Sequence, residues 1–212
     1  MTLDREAVDE LAPLVRRVVD LDRSALVRMR GNGSRLTALV RLPFGVLAAR
    51  TVEVSAAESD VDTTVGGADL LAWVDGERPE PPEPRDSQWR GGSPPTAGWQ
   101  RIDRVPDAEI RPLVGRGALT LKEAAEREGV PGAQPREAVA DALLDSVVLT
   151  VSDDANEVGI TLRTLSALTR LGFLPRGSHA AVDVSGRWIR IAAAYGSVYA
   201  ERPGTGLGLS PR

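Results

Sequence analysis

Apolar residues open the chain at helical spacing. Val8, Leu11, Val15, Val18 and Val19 follow the i, i+3, i+4, i+7 rhythm of a stripe facing a core, with charged Asp9, Glu10, Arg16 and Arg17 among the positions between. Pro13 falls within that stripe and predicts a kink or a second helical piece beginning there. The period then changes. "SALVRMR" and "RLTALVRLP" flank "GNGS", and two apolar-rich runs about a Gly-Asn-Gly turn predict a β-hairpin.

A longer pattern recurs. Residues 47–74, "LAARTVEVSAAESDVDTTVGGADLLAWV", overlie residues 144–171, "LDSVVLTVSDDANEVGITLRTLSALTRL", without gaps at a constant offset of 97. Leu47/Leu144, Val54/Val151, Ser55/Ser152, Val61/Val158, Thr64/Thr161 and Leu71/Leu168 are identical. Each copy reads as strand, polar turn, strand and short helix, with "AAESD" and "DDANE" as the turns. The expected unit is a hairpin whose apolar face is covered by the helix that follows, a stable two-layer arrangement. The fold class is therefore α+β, two pseudo-repeated β-hairpin-plus-helix units with a helical segment and a Pro-rich connecting strap.

The strap is "GERPEPPEPRDSQWRGGSPPTAG", with six prolines, whose composition favours extended backbone lying across a surface. Trp89 and Trp99 read as anchors that hold it to its own domain. From Pro106 the pattern turns helical through "PDAEIRPLVGRG", "LTLKEAAEREGV" and "QPREAVADALLDS". The expected organisation is an N-terminal α+β unit at 1–78, the strap at 79–105, a C-terminal α+β unit at 106–204 and a flexible tail at 205–212.

Composition removes several chemistries. There is no cysteine, which excludes disulfides, thiolate metal sites and a cysteine nucleophile, and there is one histidine. No catalytic residue, cofactor-binding residue or metal ligand is assigned, and the chain leans towards a non-enzyme. The first twenty residues hold no uninterrupted apolar run, so a signal peptide and a membrane span are not expected and the protein reads as cytoplasmic. The formal charge is −4, and no third of the chain carries more bases than acids, so nothing electrostatic points to tight nucleic-acid binding.

Individual motifs fail on their own terms. "LTLKEAAEREGVPGAQPREAVADALL" approaches a DNA-reading helix-turn-helix, but Glu128 occupies an apolar place. Pro131 and Pro135 disturb the start of the second helix, where Arg136 is outnumbered by Glu137, Asp141 and Asp145. It reads as a structural helical pair. Asp60 and Asp62 begin like a calcium loop, but Val65 and Leu71 stand where a glycine and a bidentate glutamate are required. "GTGLGL" and "GNGSRL" lack the strand-to-helix context of a phosphate cradle.

The histidine lies in "RGSHAAVDVSGRWIRIAAAYGSVY". With Ser185-Gly186 as a two-residue loop, Asp183 would stand opposite Trp188 and Val182 opposite Ile189. Ala180, Val182, Val184, Ile189 and Ile191 form the inner face, and His179, Asp183, Trp188 and Arg190 the outer one. His179 and Asp183 are four residues apart on one strand, about 13 Å, too far for a catalytic hydrogen bond. Interest moves to an interaction surface of His179, Asp183, Trp188, Arg190, Tyr195 and Tyr199, either exposed to a partner or covered by the strap.

The run "EGVPGAQPREAVADALLDSVVLTV", with "LRTLSALTRLGFLPRGSHAAVDVSGRWIRIAAAYGSVYAERPG", resembles conserved hypothetical proteins of actinobacteria over most of the chain. That resemblance brings no activity, cofactor or site. The reading is a cytoplasmic, non-enzymatic interaction or regulatory protein with a protein partner and no membrane. The alternatives are a nucleic-acid-associated factor, or an enzyme using carboxylate or arginine chemistry in a groove between the units.

Overall fold

The computed structural model describes residues 5–43, 45–54, 61–127 and 137–202. The tail at 205–212, the first copy's turn at Ala56 to Asp60, the stretch from Glu128 to Arg136 and the side chains of Val8 and Glu137 lie outside the described residues.

The chain begins with α1 (Arg5–Leu21) and a meander of β1 (Leu26–Asn32), β2 (Arg35–Arg41) and β3 (Leu47–Glu53). β4 (Asp62–Gly66) then leads directly into α2 (Gly67–Val74). Beyond the strap, β5 (Gln100–Pro106) leads directly into α3 (Asp107–Arg127), followed by α4 (Glu137–Leu144). The hairpin β6 (Val147–Ser152) and β7 (Glu157–Thr161) comes next, then α5 (Leu162–Arg170). A second meander closes the described chain: β8 (His179–Ser185), β9 (Trp188–Ala193) and β10 (Gly196–Glu201).

Eight strands form one antiparallel sheet in the order β4-β1-β2-β3-β10-β9-β8-β5, and β6 pairs with β7 alone. The large sheet has the same plan from either edge. An edge strand that runs into a helix borders a meander that a helix precedes. The two halves join where β3 pairs with β10, Ala48 opposite Val198. The fold is α+β and built from related units.

The repeat read at 47–74 and 144–171 keeps its order of strand, strand and helix, but only its second copy closes as a hairpin, Val151 opposite Val158. In the first copy β4 pairs with β1, Val27 opposite Val65, and β3 lies between β2 and β10. Burial explains the difference. Leu47, Ala48 and Ala49 are at most 2% exposed, so the first half of β3 is enclosed on both faces and needs a strand on each side. Val147 of β6 is 56% exposed.

One helix, α1, runs through Pro13. The proline is on the exposed side, where water can take the carbonyl that loses its N–H partner, while Leu11, Leu14, Val15 and Val18 are buried. Pro112 likewise lies inside α3. α1, α2 and α5 contribute to the core beside the inner face of the sheet, where Met29, Leu36, Leu70, Leu165, Phe173 and Ile191 are buried. The would-be recognition helix α4 is held by its acids. Asp141 and Asp145 clasp Arg163 of α5, at 2.9 and 2.7 Å, and these bonds hold the guanidinium above its ordinary pKa.

Candidate functional site

Strand alternation gives the large sheet a second, polar face. β1 sends Val27 and Met29 to the core and Arg28 and Arg30 outward. β2 sends Leu36, Ala38 and Val40 inward and Arg35, Thr37 and Arg41 outward. In the C-terminal half, Ala180, Val182, Val184, Ile189 and Ile191 are all buried in the core, as the alternation predicts. The turn between β8 and β9 is Gly186-Arg187, not Ser185-Gly186. Gly186 has φ of 54°, which glycine tolerates, and Ser185 stands opposite Trp188. That one-residue shift sets Asp183 directly opposite Arg190.

The strap crosses this outer face. It starts at the β4 edge, where Arg85 donates its amide to the Thr64 carbonyl at 2.6 Å and Asp86 accepts from the Thr64 amide. Trp89 then lies under the Arg28 guanidinium, 5.9 Å from its ring centroid, while Arg28 also grips Asp62 at 2.7 and 2.9 Å. The Pro94 carbonyl accepts from Arg30 at 3.4 Å. Gly92 comes close enough to Trp188 that a Cβ there would sit 3.6 Å from the indole. The strap ends at Trp99, whose indole donates to the Pro95 carbonyl at 3.1 Å, before the chain becomes β5 on the far edge. Both tryptophans are anchors. The final residues before 106 are strand rather than strap, because β8 offers an unpaired edge and Ile102 and Val105 bury inward.

At the strap's end the side chains interlock. Arg190 lies 4.4 Å over the Trp99 ring, and Trp99 meets Tyr199 at 5.7 Å with the rings tilted by 53°. Beneath them Asp183, with 2% of its side chain exposed, accepts from Arg190 at 2.8 and 3.0 Å and from Arg101. Burial pushes the Tyr199 phenol up from its ordinary pKa, with the Arg190 charge pulling the other way.

A groove of about 410 Å³ stays open between the strap and the sheet, walled by Pro94, Pro95 and Trp99 and lined by Arg30, Arg35 and Arg190. Its floor carries Thr37 and Thr51, whose hydroxyls are 2.9 Å apart. A second hollow of about 290 Å³ adjoins it, sharing Arg35, Thr51, Arg190 and Tyr199. The groove offers hydrogen-bond donors and positive charge. The nearby carboxylate, Asp183, is already engaged by two arginines, which suits binding rather than proton transfer. Among the described residues no group of three His, Asp or Glu side chains is arranged to hold a metal ion.

The six residues singled out in the sequence are thus distributed. Arg190 and Tyr199 line the groove, Asp183 supports Arg190 from below, and Tyr195 lines the second hollow beside Arg50, 6.0 Å from its guanidinium. Trp188 is on the outer face but only 7% exposed, with Arg187 stacked 5.7 Å over it. His179 is exposed at the start of β8, opposite Pro106, and lines neither hollow. Arg30, Arg35, Thr37 and Thr51 were not singled out. Their signal is the alternation in "RMR", "RLTALVR" and "LAARTVE", the same two-residue period that orders the C-terminal hairpin.

This architecture is similar in fold to sliding clamps of known structure. The DNA polymerase sliding clamp of Pseudomonas aeruginosa superposes with a TM-score of 0.56 at 12% identity, over 92% of this chain and 62% of that one. The DNA polymerase sliding clamp of Caulobacter crescentus gives 0.55 at 12% identity, over 97% and 67%. The DNA polymerase III subunit beta of P. aeruginosa gives 0.57 at 12%, over 92% and 62%. The likeness is one of fold, and the chain spans about three fifths of the Pseudomonas clamps. Residues 94–205, more than half of the chain, match the family described as Domain of unknown function (DUF8185), and the chain belongs to that family. Residues 1–91 match the model described as Domain of unknown function (DUF8010), so the two matches meet inside the strap. No curated protein matches the chain.

Proposed function

We propose that this protein is a cytoplasmic, non-enzymatic scaffold that binds a protein partner on the strapped outer face of its sheet. The carrying observation is the groove itself. Arg190 is fixed in place by Asp183 and Trp99 and Arg30 reaches the strap's Pro94 carbonyl, while the wall and floor are rigid sheet and proline, which limits the ordering entropy that opposes binding. An antiparallel, two-unit clamp fold is consistent with a scaffold. No helix among the described residues is long and apolar enough to cross a membrane. The test is affinity capture by the full chain from native cytosol, with and without nuclease. We expect a discrete, nuclease-resistant protein set that is lost when Arg30 and Arg35 are both changed to Glu. Capture indifferent to that variant overturns the reading.

A second reading is association with nucleic acid. Its support is that the fold neighbours are clamps of DNA polymerases and that arginines cluster on one face. The chain's net charge of −4 weighs against it. A phosphate-driven complex must weaken steeply as salt rises, and an apparent affinity for DNA that is flat between low and high salt refutes that mode.

A further inference from the structure

We infer that the groove recognises an acidic, extended peptide segment, reading side-chain carboxylates with Arg30 and Arg35. This deepens the scaffold reading and rests on it. Three other outward arginines of the face are internally committed: Arg28 to Asp62, and Arg101 and Arg190 to Asp183. The Arg35 side chain is exposed and has no ion-pair or hydrogen-bond partner among the described residues, although Glu53 is its cross-strand neighbour. Among the described residues Arg30 makes one side-chain hydrogen bond, the long one to the Pro94 carbonyl, and the Asp62 carboxylate opposite it across the strands is already gripped by Arg28. Two guanidiniums with spare donors therefore converge on one hollow, with threonine hydroxyls between them and an indole at the end. Guanidinium forks match carboxylates in bidentate geometry.

The occupant is a peptide rather than a nucleic acid for two reasons. A volume of about 410 Å³ under a proline wall suits a few residues of single chain and has no room for a duplex. Trp99, the flat ring that a base would need, already has one face under Arg190 and an edge against Tyr199.

The test titrates full-length protein with fluorescein-labelled hexaglutamate, with hexaglutamine and hexathymidylate as comparison probes, reading anisotropy and the quenching of tryptophan emission by unlabelled peptide. Hexaglutamate should bind, weaken as salt rises, and leave hexaglutamine without measurable binding. Arg35→Gln and Arg30→Gln should each weaken it about tenfold, the loss of one charge-assisted contact, while exposed Arg23→Gln changes nothing. Arg35→Gln removes no side-chain hydrogen bond or ion pair to a described residue, so it tests recognition with little cost to the fold. Equal binding by Arg35→Gln and the parent, or tighter binding of hexathymidylate lost in the same variants, overturns the assignment. If hexaglutamate fails while the Arg30→Glu/Arg35→Glu variant still loses its captured partner, this ligand class falls and the scaffold reading stands. If hexaglutamate binds and no nuclease-resistant partner is captured, the scaffold reading falls and the groove's preference stands.

Discussion

Asp183 is the keystone of the outer face, and its removal has a calculable cost. Its carboxylate is 2% exposed and is gripped by Arg190 and Arg101, whose side chains retain 25% and 44% exposure. A charge-assisted bond contributes about 1.5–3 kcal/mol when both partners are dry. Here the guanidiniums can turn to water once released, so each bond belongs near or below the lower bound. Asp183→Asn keeps the volume and one acceptor while removing the charge, and about 2–3 kcal/mol should be lost in total. For a chain of this length that is roughly 5–10 °C in melting temperature. Urea unfolding followed by far-UV circular dichroism measures the first and calorimetry the second. Because Arg190 is stacked on Trp99, the variant should also shift tryptophan emission in the native state. A double-mutant cycle with Arg190→Gln should return a coupling of about 1–2 kcal/mol. An Asp183→Asn protein within about 0.5 kcal/mol of the parent, with unchanged emission, would show that the pair neither stabilises the sheet nor positions Arg190.

Three further outcomes follow from the packing and the titrating groups. Gly196→Ala should cost about 1–3 kcal/mol in urea unfolding, because its Cβ would lie 2.7 Å from the buried Phe173 ring and 2.8 Å from the Ala49 carbonyl, and sheet backbone cannot retreat. The folded phenol of Tyr199 has a raised pKa, so its contribution is whole below the unfolded value of about 10 and is lost as pH rises through the folded one. Stability curves of the parent should therefore fall on the alkaline side more steeply than those of Tyr199→Phe. Asp62 is held below its ordinary pKa by Arg28, so its contribution is present above the unfolded carboxylate range and is lost as pH falls through the folded value. With Asp62 52% exposed, Asp62→Asn should cost less than about 1 kcal/mol at neutral pH, should flatten the acid limb, and should matter less at high salt.

Two-residue alternation makes the C-terminal inner face readable, and the same period in the first hairpin turns Arg30 and Arg35 outward. What it could not supply was partnership. Trp188 and Arg190 share a face by alternation, but one is shut under Gly92 and Arg187 while the other borders an open groove. The turn between β8 and β9 lies one residue beyond the expected Ser185-Gly186, since Ser-Gly and Gly-Arg both satisfy a two-residue loop. The register decided that Asp183 faces Arg190 and not Trp188.

By itself, the sequence determined the local periods. It set a helical stripe in α1, the first hairpin, the strand-strand-helix order that recurs at an offset of 97, and a strap too rich in proline to join a sheet interior. These are properties of neighbours along the chain, where sterics and burial act over a few residues. Only the tertiary structure decided that β3 and β4 part company, that β3 meets β10 to fuse two halves into one sheet, and that residues near 90 and 99 come to rest on residues near 30 and 190. Such pairings depend on which two-sided apolar strand finds a neighbour on each flank and on where two tryptophans find cations to stack against, choices made between segments far apart in the chain.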